Sequence, residues 1–131
     1  MATRSTIAVE YPDGTVRAIY CHWDGYLDGV GATLVEHYAD FDQADALINQ
    51  GDLSSLDSTI KGSEFYARDR GEEFVPAEQY SSLRDYTLRG RMEEYNYVRL
   101  YKTGEWQVAA LYNDRAEGSV KECLAQIENA A

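Results

Sequence analysis

The sequence predicts a single α+β domain in which an antiparallel sheet from two hairpins packs with two early helices and a C-terminal helix. Three observations carry this prediction. Two stretches of strand-forming residues each fold about a turn signal, at Pro12-Asp13-Gly14 and at Lys102-Thr103-Gly104. Apolar residues recur at helical spacing between Val30 and Ile48, and again after Ser119. A length of 131 residues with 44% hydrophobic content suits one domain with a real core and is too short for two comfortable ones.

The first strand alternates from Thr6 to Tyr11, with Ile7, Val9 and Tyr11 on one side. Proline presets the first turn position and Gly14 takes the left-handed one, so a tight hairpin returns through Thr15 to Trp23. Both faces of the return strand carry apolar groups, Val16, Ala18 and Tyr20 on one and Ile19, Cys21 and Trp23 on the other, which predicts cover on both sides. Asp24-Gly25 ends it. A helix is expected from about Gly29 to Tyr38, burying Val30, Leu34, Val35 and Tyr38. The next helix has clearer punctuation, with Asp42 as N-cap, Phe41 before it packing toward Ala46, an apolar side of Ala44, Leu47 and Ile48, and Gly51 past the end.

From Asp52 to Gly90 the pattern is weak. Leu53, Leu56 and Ile60 suggest a turn or short helix, EFYARDRGEEF a strand leading into a loop, and Ala77 to Leu88 a helix. Glu93 to Tyr101 and Glu105 to Tyr112 form the second hairpin. Ser119 with Glu122 is a capping box that opens the last helix, whose buried face is Val120, Cys123, Leu124 and Ile127.

Charge is the most informative total. The chain carries 12 basic and 23 acidic residues, a net −11. Up to residue 60 only Arg4 and Arg17 stand against ten acids, and from Lys61 onward ten basic residues stand against 13 acids, so the two parts carry −8 and −3. Between Ala18 and Ile60 there is no Lys or Arg, while Asp24, Asp28, Glu36, Asp40, Asp42, Asp45, Asp52 and Asp57 all fall there. The outer faces of both early helices must therefore be acidic. Such a surface repels nucleic acid and acidic membranes and steers toward basic partners, although acidity also simply keeps a small protein soluble. No apolar run approaches the roughly 20 residues needed to span a bilayer. The start, MATRSTIAVEYPDG, shows no secretory signal, and Cys21 and Cys123 are expected as free thiols in a reducing cytoplasm. Eleven Tyr against three Phe is the other oddity, because each hydroxyl wants a partner and tyrosine is enriched at interfaces. Six of them, among them Tyr101 and Tyr112, sit in the second half near Arg84, Arg89, Arg91 and Arg99, and a homodimer through the Tyr-rich hairpin is one expectation.

The run YCHWDGY followed by LDGVG tempts three enzymatic readings. Its glycines come with no Lys or Arg, which excludes a phosphate loop, and Asp24 and Asp28 lack the alternate spacing of a calcium loop. A metal site from His22, Asp24, His37 and Asp40 is geometrically conceivable, but two histidines among scattered aspartates fall short of a ligand motif. The preferred reading is structural: His22 a half-buried strand residue, Trp23 core, and Asp24 with Gly25 the turn. In Phe65 to Glu72, Arg68 and Arg70 could clamp a phosphate or carboxylate with Tyr66 stacking. They could equally pair with the acidic helices, and that structural reading is preferred. No serine sits in a nucleophile elbow and neither cysteine has a catalytic setting, so no enzyme, metal or cofactor is expected, with a metal-dependent enzyme around His22 and His37 as the remaining alternative.

The stretches MATRSTIAVEYPDGTVRAIYCHWDGYLDGVGATLVEHY, ALINQGDLSSL and FYARDRGE together resemble a family of small, largely uncharacterised proteins encoded by phages and prophages. The similarity is most specific in the first 56 residues and at Phe65 to Glu72, about half the chain. The family brings no catalytic residues. It implies an intracellular protein working in the cytoplasm of an infected bacterium.

Two functional expectations lead. One is a binding protein without catalysis that inhibits a host defence machine, of CRISPR-effector or restriction-enzyme type. Asp24, Asp28, Glu36, Asp40, Asp42 and Asp45 would meet a basic groove built for nucleic-acid phosphates, with no direct contact to nucleic acid or membrane. The other is a sponge for a nucleotide immune signal, with Arg68, Arg70, Arg84 and Arg91 supplying charge and Trp23 and Tyr66 stacking. A phage accessory protein that forms a homo-oligomer is the blandest alternative.

Overall fold

The structure, a computed structural model, describes residues 2–90, 93–111 and 116–130, the last three by their backbone alone. It is a single α+β domain. Strands β1 (Ser5–Glu10) and β2 (Val16–Cys21) form the first hairpin. Its turn is closed by Gly14 N–H donating to the Tyr11 carbonyl at 2.9 Å, with Gly14 at φ +88° and Asp13 accepting from Thr15. A π-turn over Leu27–Gly31 runs directly into α1 (Ala32–His37), and α2 follows (Phe41–Asn49). The region expected to be poorly patterned is a set of short pieces: β3 (Leu53–Ser55), β4 (Glu64–Phe65), α3 (Tyr66–Arg70), β5 (Glu78–Tyr80) and α4 (Leu83–Asp85), which continues as a π-turn over Tyr86–Gly90. Strands β6 (Tyr95–Arg99) and β7 (Trp106–Ala110) make the second hairpin, and β8 (Glu117–Ser119) leads into α5 (Val120–Ala130).

Both hairpins are antiparallel, as expected, but the seam between them is not. Strand β1 pairs with β6 in parallel, Ser5 opposite Tyr95 and Val9 opposite Arg99, so the sheet is mixed. Its order is β4-β3-β2-β1-β6-β7-β8, with β5 also lying on β2. Hydrogen-bond pattern inside a hairpin is set by its turn, whereas the pairing of two hairpins is set by which faces must be buried together.

One face of the sheet meets the helices. Ile7, Val9, Ile19, Cys21, Leu53, Phe65, Tyr97, Trp106 and Val108 pack there with Val30, Leu34, Tyr38, Leu47 and Ile48 from the helices. The other face holds a smaller cluster of Ala8, Val16, Ala18, Val98, Tyr80 and Tyr86. The expectation that β2 is covered on both sides therefore holds. In α5, Val120 and Cys123 are buried, and the Ser119 half of the capping box forms, as Glu122 N–H donates to Ser119 Oγ at 3.3 Å. Ile127, expected on the buried face, is 46% exposed.

Three other expectations change. The N-cap of α2 is Asp40, whose carboxylate accepts from Gln43 N–H at 3.1 Å, and not Asp42. Phe41 is thereby the first helical residue and packs edge-on against Tyr11 and Tyr101. Residues 53–60 begin with a strand because Leu53 extends the sheet beside Cys21. The stretch from Ala77 to Leu88 is broken by β5, which pairs antiparallel with Val16–Ala18.

The tyrosines also differ from expectation. Tyr38, Tyr86 and Tyr97 are fully buried core residues, and each hydroxyl has a backbone partner: the carbonyls of Asp57, Tyr97 and Gly25. Burial without an orphaned hydroxyl removes the cost that argued against core tyrosine. Of the described tyrosines in the second hairpin, Tyr97 faces inward, Tyr95 is half-buried against the core, and Tyr101 is exposed. Tyr112 lies outside the described residues.

Candidate functional site: the acidic helical layer

The corner after β2 answers why YCHWDGY is so crowded. Asp24 adopts φ +58°, a left-handed conformation, and swings the chain beneath β1, where Gly25 N–H donates to the Thr3 carbonyl at 2.8 Å. A Cβ on Gly25 would stand 2.8 Å from that carbonyl oxygen and 2.9 Å from the Ser5 side chain. The Asp24 carbonyl then accepts from Val30 N–H at 2.8 Å and starts the π-turn. Tyr97 closes the corner from the sheet, its hydroxyl 2.7 Å from the Gly25 carbonyl. Packing therefore selects most of the run.

Trp23 is the exception. It is 44% exposed and not core, because β2 ends at Cys21 and the helical layer starts only at Leu27, leaving the indole uncovered. Its edge meets His22, whose Nδ1 lies 2.7 Å from the Tyr20 hydroxyl. His37 lies at the end of α1, 3.6 Å from Glu36. Among the described residues, no three of His, Cys, Asp and Glu converge to hold a metal ion.

The acidic residues divide into two clusters. Asp24 and Asp28 flank Tyr26 at the entry to the π-turn, where the phenol donates to Asp24 at 3.2 Å and its pKa is raised, chiefly by the Asp24 charge. Glu36, Asp40 and Asp42 gather around the junction of α1 and α2, all exposed. Asp45 belongs to the same helix but is partly buried. It accepts from the Tyr11 hydroxyl at 2.6 Å, and burial with this bond pushes the Tyr11 pKa up to about 12. Of the six predicted residues, five are open to solvent and Asp45 is engaged in the fold.

No arginine from the later half is laid across these carboxylates among the described residues. Arg68 pairs with its neighbour Asp69 at 2.9 Å and donates to the carbonyls of Ile60, Lys61 and Ser63. Arg70 pairs with Glu64, reaches Ser54 Oγ and lies over the Tyr66 ring. Arg89 pairs with Asp85 and lies over Tyr80. These side chains stitch their own corner of the molecule and do not bridge to the acidic helices. Arg99 comes nearest: its Nε donates to the Ala39 carbonyl at 2.8 Å, and its guanidinium feels the Asp40 charge while burial lowers its pKa.

The predicted nucleotide-binding group is not assembled into one site. Tyr66, Arg68 and Arg70 share α3, Arg84 is exposed on α4, and Trp23 stands at the corner after β2. Arg91 lies outside the described residues. Sequence reasoning missed a pocket on the second sheet face, framed by Tyr20, Asp52, Glu78 and Arg89. Nothing local signals it, since its walls come from five separate stretches of chain. Neither cysteine is a nucleophile candidate: both are buried, and burial pushes the Cys21 thiol up to about 12. No helix among the described residues is long and apolar enough to cross a membrane. The chain matches no protein-family model, no curated protein and no solved structure, so the chemistry of the site rests on its own residues.

Proposed function

We propose that this chain is a phage-encoded binding protein without catalysis, which offers its acidic helical layer to the nucleic-acid-binding surface of a bacterial defence machine of CRISPR-effector or restriction-enzyme type. One observation carries the reading: Asp24, Asp28, Glu36 and Asp42 are exposed, and the ion pairs that Arg makes among the described residues all fall between Glu64 and Arg89. Uncompensated carboxylates on a rigid helical layer attract a groove that holds phosphates, and they speed association in a salt-dependent way. The phage context comes from the resemblance of the first 56 residues and the FYARDRGE stretch, and the counter-defence reading from the acidic segment between Ala18 and Ile60.

The test uses bacteria carrying a defence system, challenged with a targeted phage. Expression of the chain should restore plaquing. A variant with Glu36→Gln, Asp40→Asn, Asp42→Asn and Asp45→Asn should lose that effect, while Asn at 40 and 45 keeps the cap and the Tyr11 bond. With the purified effector, release of nucleic acid by the chain should weaken as salt rises. Inhibition indifferent to both the substitutions and the salt removes phosphate mimicry. A nucleotide retained by the protein in native mass spectrometry would favour the sponge instead.

A further inference from the structure

The second face of the sheet carries a pocket of about 270 Å³ that the acidic-layer reading does not use. Its floor is apolar at Ala18 of β2, and Val75 and Pro76 of the segment between α3 and β5 close one side. Two phenol rings, Tyr20 and Tyr80, line it, as do three carboxylates from three separate stretches: Asp52, Glu78 and Glu93. The only basic wall residue among those described is Arg89, and it is already paired with Asp85 by Nε and Nη2. Glu78 accepts from the Tyr80 hydroxyl at 2.6 Å, and Asp52 Oδ1 accepts from Tyr20 N–H at 2.9 Å. No described group bonds Asp52 Oδ2.

We infer that this pocket binds a small organic cation, an alkyl ammonium or guanidinium whose charged head meets Asp52 and Glu93 and whose apolar stem lies on Ala18 and Pro76. Among the described residues the wall carries net negative charge, which with the apolar floor fits that chemistry and opposes a nucleotide phosphate. At about 30 Å³ per water the volume equals roughly nine waters, and it falls just below the ~300–1,000 Å³ of sites for drug-sized ligands. An amine of amino-acid size fits. Burial raises the Asp52 pKa, and the Glu78 charge adds to it, as expected for a carboxylate that lacks its cationic partner. The inference is independent of the acidic helical layer, which lies on the other face.

The experiment is calorimetric titration of the full chain with agmatine, which carries both head groups on a four-carbon stem, and with AMP as the anionic comparison. Agmatine should bind once per chain and AMP should not bind. Asp52→Asn keeps an oxygen for Tyr20 N–H, so the fold survives, and it should weaken agmatine by about tenfold. Glu93→Gln should weaken it several-fold and serves alone if the first variant misfolds. Glu36→Gln with Asp42→Asn should change nothing. No heat at about 1 mM agmatine, tighter binding of AMP, or equal loss in the helical-layer variant would each overturn the assignment.

Discussion

The helical layer from Asp24 to Asn49 and the corner from Asp57 to Gly90 are both rich in charge, yet they are held by different forces. The layer is anchored by neutral bonds to backbone carbonyls. Trp106 Nε1 donates to the Tyr38 carbonyl at 3.0 Å, Tyr97 to Gly25 and Tyr38 to Asp57, over a buried floor of Leu34, Leu47 and Ile48. The corner has few buried side chains and long stretches of exposed chain, and its arginines tie carbonyls and carboxylates together. Where a core exists, carboxylates on the outer face are not needed for cohesion and stay available to a partner. Where it does not, Arg68, Arg70 and Arg89 and the carboxylates beside them are consumed internally. Charge density alone says nothing about function until each charge has been assigned a partner.

Four substitutions separate these two regimes. Trp106→Ala should cost the most, about 3–5 kcal/mol in chemical unfolding, because it opens a cavity under α1 and orphans the Tyr38 carbonyl. A loss below about 1 kcal/mol would mean that the layer is not held by the core. Arg68→Ala comes next, at about 1–1.5 kcal/mol, since two of the three carbonyls it leaves are exposed and turn to water, with faster amide exchange confined to residues 57–70. It should also alter the acid response. Arg68 holds the Asp69 pKa below its ordinary value, so the pair contributes stability above about pH 4 that is lost as pH falls toward the folded pKa. The wild-type advantage over the variant should shrink across that range, and a constant gap would exclude the pair as its source.

Asp40→Ala should cost about 1 kcal/mol through the lost cap of α2, whereas Asp42→Ala should not, which distinguishes the two candidate caps by melting temperature alone. Smallest of all, Glu36→Gln with Asp42→Asn should stay within about 0.5 kcal/mol of wild type. A clear loss of stability would show that these carboxylates serve the fold, and the contrast between the two regions would fail.

Much of this was legible from residues. Gly14 and Gly104 both take positive φ, at +88° and +71°, where the turn signals place them, because a tight reversal needs a conformation that other side chains resist. Ala44, Leu47 and Ile48 are buried as their spacing requires. The cap of α2 lies two residues earlier than expected because Asp40 and Asp42 are chemically equal candidates, and the ring contacts of Phe41 with Tyr11 and Tyr101 favour the earlier one. Residues 53–80 were opaque for a different reason. Strands of two or three residues have no periodicity to read, and β3 and β5 exist only because β2 offers them an edge. Trp23 misled because alternation predicts a face and not whether anything covers it.

Of the candidate site, the acids themselves were legible and the pocket was not. The sequence by itself determined the hairpins, the three main helices and the uneven distribution of charge, since turn chemistry, apolar period and composition are all properties of neighbours along the chain. Only the tertiary structure decided that β1 and β6 run parallel, that the buried tyrosines find carbonyl partners, and that the Arg ion pairs among the described residues fall away from the acidic helices. Those outcomes depend on which distant groups come within bonding distance, and that distance exists only once the core has closed.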